Sequence, residues 1–173
     1  MAVTKYTGTG TILDTDYKDV AFKGFTKSGK YIMITVKNAV NLGNIDWTFA
    51  DKGEMIPQTV FTGTYSNTDA MSESTVEPFE IECEDDTLKG AKAILLGAGQ
   101  VLIGGKPAGL TRGGSQFTVE RTTREIEADG DRGPVKGRVV IDRSVPKLTI
   151  NLMEIIDKLS DLYPGLTKST SGS

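Results

Sequence analysis

Residues 116–127, Gln-Phe-Thr-Val-Glu-Arg-Thr-Thr-Arg-Glu-Ile-Glu, contain neither glycine nor proline and favour extended backbone. The turn cluster Ala-Asp-Gly-Asp-Arg-Gly-Pro follows at 128–134. The chain returns through Arg-Val-Val-Ile-Asp-Arg at 138–143 and Val-Pro-Lys-Leu-Thr-Ile-Asn at 145–151. Two arms of this length around a glycine-rich turn predict a hairpin longer than the usual strand of about five or six residues. Such a hairpin should project beyond its own core, and the partner expected for it is another copy of the chain. After it, Leu152, Ile155, Ile156, Leu159, Leu162 and Tyr163 recur at helical spacing. Asn151 and Glu154 have capping-box spacing, Glu154 and Lys158 form an i,i+4 pair, and Pro164-Gly165 is a stop. These features predict one amphipathic helix over 151–163, flanking a sheet.

The rest of the chain reads mainly as β-structure. Residues 1–19 read as an extended arm leading into a strand. Residues 20–25 and 31–37 flank Thr26-Lys-Ser-Gly-Lys30 as a hairpin. Residues 38–44 read as an Asn/Gly loop, and 45–49 as a strand with Ile45, Trp47 and Phe49 on one face. Residues 58–65 read as a strand entered from Pro57, and 66–77 as a polar loop. At 78–83, Phe79, Ile81 and Cys83 alternate inward, while Glu80, Glu82 and Glu84 make a solvated strand face. Gly97-Ala-Gly99 breaks the chain before a Gly/Pro hairpin at 100–110. The tail, 167–173, has a linker composition. The architecture expected is mainly β. It has two packed, mostly antiparallel sheets, sandwich- or barrel-like, with one flanking helix and a projecting hairpin. A length of 173 residues fits a single domain with an acidic strand meander at 1–87 and hairpins plus helix at 88–173.

Charge divides between those halves. Residues 1–87 hold 7 lysines, no arginine and 14 acids, a net of −7; residues 88–173 hold 13 basic residues and 9 acids, a net of +4. Either the charges intermix within one sheet system, or two oppositely charged surfaces attract in a head-to-tail assembly.

Candidate chemistry is sparse. There is no histidine, which removes the commonest general base and transition-metal ligand. Cys83 is the only cysteine, so no intrachain disulfide forms. No long apolar run or charged-then-apolar leader is present, so no membrane span or signal peptide is expected. Gly97-Ala-Gly99 precedes strand and turn residues rather than a helix, against a dinucleotide site. Asp129-Gly-Asp131 lacks the remaining ligands of a calcium loop and reads as a hairpin tip. The acids Glu77, Glu80, Glu82, Glu84, Asp85 and Asp86 have no apolar pocket in view for catalysis. On the long hairpin Arg121, Arg124, Arg132, Arg138 and Arg143 alternate with acids and lack aromatic company beyond Phe117, which favours an ion-paired or protein-facing hairpin over a nucleic-acid grip. No catalytic residue, cofactor or metal is expected.

Four pieces carry a resemblance: Thr-Arg-Gly-Gly-Ser-Gln-Phe-Thr-Val-Glu at 111–120; Arg-Glu-Ile-Glu-Ala-Asp-Gly-Asp-Arg-Gly-Pro-Val-Lys-Gly at 124–137; Lys-Asn-Ala-Val-Asn-Leu-Gly-Asn-Ile-Asp-Trp-Thr-Phe-Ala-Asp-Lys at 37–52; and Phe-Thr-Gly-Thr-Tyr at 61–65. Together they are 45 residues, about a quarter of the chain. They resemble the tail tube proteins of tailed bacteriophages and prophages. The resemblance implies a structural virion protein, made in the host cytoplasm and placed in the tail. It implies hexameric rings stacked into a hollow tube, with the sheets of six subunits joined around a lumen through which DNA passes unbound. It implies contact with other tail proteins such as the tape measure and tail terminator, and no membrane. The loop at 128–137 matches one that reaches the adjacent ring, so Asp129, Gly130, Arg132, Gly133 and Lys136 become stacking-contact candidates. The polar loop at 66–77 and the arm at 1–14 are further candidates. In that family the half at 97–166 resembles the beginning and the half at 7–84 the end. The order here is swapped, as in a circular permutant cut between 173 and 3 and fused near 85–89. A carbohydrate- or host-binding β-sandwich is the alternative, with Trp47, Tyr6, Tyr17 and Tyr31 as its available aromatics.

Overall fold

A computed structural model of the chain describes residues 2–66 and 76–171. Its strands are β1 (Val3–Gly8), β2 (Lys18–Thr26), β3 (Tyr31–Asn41), β4 (Gln58–Thr62), β5 (Phe79–Cys83), β6 (Leu95–Ile103), β7 (Lys106–Pro107), β8 (Gln116–Glu125), β9 (Val139–Asn151) and β10 (Leu166–Ser171). One short helix, α1 (Leu159–Leu162), and 3-10 turns at Asp14–Asp16, Gly90–Ala93 and Ile156–Lys158 complete it. Among the described residues no helix is long and apolar enough to cross a membrane.

All the ladders are antiparallel. Strands pair in the order β7-β6-β2-β3-β4-β9-β8, with β5 also on β3. The path divides along β3. Its first part, Ile32 to Val36, pairs with β5, while Val40 and Asn41 pair with β4. Asn38 sits between them at φ 44, a left-handed conformation that asparagine tolerates, and its N–H donates to Asp19 Oδ1 at 3.0 Å. One sheet therefore holds β7, β6, β2, β3 and β5. The other holds β4, β9 and β8 beside the end of β3.

The core lies between them. Val20, Val36 and Val101 from the first sheet meet Phe61, Leu148 and Ile150 from the second. Alternation does the sorting: along β9, Ser144, Pro146, Leu148 and Ile150 are buried while the residues between them are half-exposed. Gly63 leaves no room for a side chain: a Cβ would stand 2.7 Å from Val36 Cγ1 and 2.8 Å from Pro146 Cγ. Leu152, Ile155, Leu162 and Tyr163 close one end of this layer.

Five local expectations are corrected. The helix predicted over 151–163 shrinks to α1. β9 runs through Asn151, Leu152 bridges to Thr111, and Met153 N–H donates to the Leu110 carbonyl at 2.8 Å, so these backbone groups are held in β pairing. Asn151 Nδ2 donates to the Gly114 carbonyl at 3.1 Å instead of capping, and Lys158 pairs with Asp157 rather than Glu154. Residues 45–49 alternate but form no strand. Only Trp47 packs on the core, its Nε1 donating to Tyr163 Oη at 2.8 Å, while Ile45 and Phe49 stay exposed. The expected loop at 38–44 begins only after β3 ends at Asn41. Gly97-Ala-Gly99 lies inside β6. Gly99 is where the Phe22 ring crosses, 2.3 Å from the position a Cβ would take. The supposed linker tail is β10, paired with β1 from Val3↔Ser171 to Gly8↔Leu166. Most of the polar loop expected at 66–77 lies outside the described residues.

Candidate interaction surface at the long hairpin

β8 and β9 pair from Gln116↔Thr149 out to Glu125↔Val139. The hairpin leaves the core at Arg121↔Ser144, where the last buried residue of β9 sits. Beyond it the strands continue for roughly 15 Å at about 3.3 Å per residue. Ile126, Val139 and Ile141 are all half or more exposed there. A pair of strands with apolar side chains and no layer over them is unfinished by its own chain.

The base is anchored by charge. Arg121 Nε donates to Glu77 Oε1 at 2.7 Å and its Nη2 to Glu77 Oε2, a two-pronged clamp. The Phe117 and Phe79 rings stand 5.6 Å apart beside it. The Arg121 guanidinium holds the Glu77 carboxyl below the ordinary glutamate value of 4.5, outweighing the opposing effect of burial. Because the folded value is lowered, the clamp stabilises fully above pH 4.5 and loses its effect as pH falls below it. Wild type should therefore be more stable than Glu77→Gln at pH 6, and the difference should shrink as pH drops towards 3. Urea unfolding at a series of pH values reads this directly. A difference independent of pH would show that the clamp does not titrate with folding.

The tip places Asp129, Gly130, Arg132, Gly133 and Lys136 together, all exposed, in the loop joining β8 to β9. No ion pair reaches Asp129, Arg132 or Lys136 among the described residues. The loop is shaped instead by Asp131, whose Oδ2 accepts from Ala128 N–H at 2.8 Å and from Arg138 Nη1 at 2.8 Å. Sequence reading took Asp131 for turn chemistry alone. The Arg138 seven residues on is the signal for its second role, a brace across the loop. Of the weaker candidates, the arm at 1–14 contains β1, which is tied into the β1–β10 ribbon.

The first sheet also has open edges among the described residues. β7 covers only Leu102 and Ile103 of β6, so among the described residues its edge from Leu95 to Gln100 carries no strand. That edge bears no charge and no proline, the usual protections of an exposed strand. At the other side of the sheet β5 pairs, among the described residues, with β3 alone. On the face away from the core, Glu80 pairs with Lys37, Glu84 with Lys30, and Glu82 accepts from Tyr31 Oη. Phe79, Ile81 and Cys83 share the core-side face as expected, but Ile81 and Cys83 are exposed: the second sheet does not reach them.

Charges from the two halves do intermix, through Lys18–Asp161, Glu54–Arg112 and Glu77–Arg121. No family model, curated protein or solved structure matches the chain.

Proposed function

We propose that the chain is a structural subunit that assembles with itself into stacked rings, as the major tail tube protein of a tailed phage or prophage does. The observation that carries this reading is the distal half of the β8–β9 hairpin, which has paired strands and apolar side chains but no core. Two further features support it. Among the described residues, no strand pairs with Leu95–Gln100 of β6 at one edge of the β6-β2-β3-β5 sheet or with the outer side of β5 at the other, as a sheet continued from subunit to subunit requires. Its outer face sets carboxylates against lysines, so it offers no run of unopposed cations to hold DNA phosphates as DNA passes. In this reading six copies close a ring, and tape measure and terminator proteins meet the tube. The virion tail is the site of action.

The swapped order of the two halves fits the same reading. Val3 and Ser171 are Cα partners, so a short connection between them would make β10 and β1 one hairpin. The segment after β5 leads directly to β6 across the β2–β3 turn, with Lys27 N–H donating to the Ile94 carbonyl at 2.8 Å. A carbohydrate-binding role draws less support. Trp47 is half-buried against Tyr163, and the Tyr31 ring lies under Lys23 Nζ with its hydroxyl on Glu82.

Sedimentation velocity over a concentration series, followed by negative-stain electron microscopy, tests the proposal. Rings or tubes with six-fold end views are expected. A monomer at every concentration, unchanged when the halves are restored to the other order, would overturn it.

A further inference from the structure

The tip of the hairpin holds the one Asp-Gly pair in the sequence, Asp129-Gly130, and no Asn-Gly pair occurs. An aspartate carboxyl and the backbone nitrogen of the next residue close a five-membered ring if the two can meet. Helix and strand dihedrals hold them apart, and a side chain on the following residue obstructs the approach. A hydrogen bond from the nitrogen, or one onto the carboxylate, occupies a reacting partner. Asp129 is free of each of these obstacles. It lies in a turn closed by Asp131 N–H on the Ala128 carbonyl at 3.1 Å. It is exposed, and among the described residues neither its carboxylate nor the Gly130 N–H has a hydrogen-bond partner. Gly130 stands at φ 94, with nothing within 4 Å of the position a Cβ would take. Glycine adopts either sign of φ, so the peptide plane between Asp129 and Gly130 is free to turn over and present its nitrogen to Cγ.

Nearby aspartates show the contrast. Asp131 Oδ2 is engaged by Ala128 N–H and Arg138 Nη1, and Arg132 follows it. Asp142 is set in β9, pairs with Arg124 and is followed by Arg143.

We propose that Asp129-Gly130 is a site of spontaneous backbone modification, in which aspartate becomes isoaspartate through a cyclic imide. The Gly130 nitrogen attacks Cγ of the protonated Asp129 carboxyl. The N–Cγ bond forms, a Cγ–O bond breaks, and the hydroxyl leaves with the amide proton as water. Water then opens the ring. Cleavage at Cγ restores aspartate. Cleavage at the main-chain carbonyl carbon leaves isoaspartate, whose backbone runs through Cβ and Cγ and carries a free α-carboxylate. The turn between Ala128 and Asp131 thereby gains a backbone atom, and the carboxylate of Asp129 moves onto the main chain. Under the self-assembly reading, on which this consequence rests, two tip contacts are altered and converted chains associate less. A neighbour seated on the tip would hold the turn closed, so the reaction belongs to chains not yet assembled.

The test holds wild type and Asp129→Glu, both dilute, in warm buffer at pH 6. Each is then cut with trypsin and methylated by an isoaspartate-specific methyltransferase with radiolabelled S-adenosylmethionine. Trypsin releases the tip as residues 125–132, between Arg124 and Gly133. Glutamate would have to close a larger, less favoured ring, so the variant keeps the charge and loses the reaction. Wild type should carry more label in 125–132 than in all other peptides together, after a species lighter by one water. The same peptide of Asp129→Glu should carry none. Absence of label from wild-type 125–132, while a synthetic peptide of that sequence is labelled, overturns the proposal. Label that persists in Asp129→Glu also overturns it, since it would place the reaction at Asp131. Sedimentation of fresh and aged protein then reads the consequence. Weaker association of aged wild type, with fresh and aged Asp129→Glu alike, supports it. Equal association of fresh and labelled wild type overturns the consequence, removing Asp129 and Gly130 from the contact while the modification stands.

Discussion

Replacing residues 126–138 with Asn-Gly should leave a folded chain that sediments as a monomer where the parent associates. The excised loop holds itself by local bonds, chiefly Asp131 with Ala128 and Arg138 and the Ile126 N–H to the Arg138 carbonyl. It touches no part of the core. Glu125 and Val139 are already strand partners, and Asn-Gly closes a two-residue hairpin between such partners. The stability cost should stay within about 1 kcal/mol. Association should drop by at least about two orders of magnitude if the tip supplies the contact, since truncating central contacts commonly costs a few kcal/mol. Parallel urea melts and sedimentation runs separate the two quantities. A shortened chain that assembles like the parent would remove the tip from the interface.

Phe61→Ala should have the largest effect on folding, about 3–5 kcal/mol. Phe61 is 1% exposed and stands between Asn41 of β3 and Leu148 of β9, at the strand that joins the two sheets. Its removal leaves a cavity in the buried cluster that it shares with Val36, Leu148 and Ile150. Against a total of about 5–15 kcal/mol for a native domain, such a loss moves the unfolding midpoint far. Phe49→Ala is the control. That ring is 76% exposed, and its removal should change stability by no more than about 0.5 kcal/mol. Equal effects from the two would mean that Phe61 does not hold the sheets together.

The long hairpin was legible because its signals are local. Residues 116–127 contain nothing that breaks a strand, and the Gly/Pro cluster after them can only turn. β2 and β3 were legible for the same reason. What escaped depends on distant partners. Thr167, Ser169 and Thr170 look like linker residues until β1, 160 or more positions away in sequence, pairs with them. Ile45, Trp47 and Phe49 alternate correctly, but no strand edge stands beside them to complete a ladder. Leu152, Ile155, Leu159 and Leu162 share a helical period and do share the core, yet Thr111 and Leu110 pair with the backbone first. At the tip, the candidate residues lie together as sequence adjacency required. The exposed Val139 and Ile141 behind them were hidden by one extra residue in β9, Asp142, since Thr122 pairs with Arg143 and Thr123 with Ile141, and no alternation rule anticipates it.

The β1–β10 ribbon also fixes how the molecule answers to load. Force applied at residues 3 and 171 pulls on the open end of an antiparallel ladder, so its bonds fail in sequence, one pair at a time, instead of shearing together. The six registered pairs, Val3↔Ser171 through Gly8↔Leu166, would peel before tension reached Leu162 and the buried layer. That release lets out about 40 Å of chain at about 3.4 Å per residue. The ribbon is a mechanical fuse: a soft extensible lead in series with a stiff body. In a force-extension trace it should appear as a low plateau preceding the main rupture.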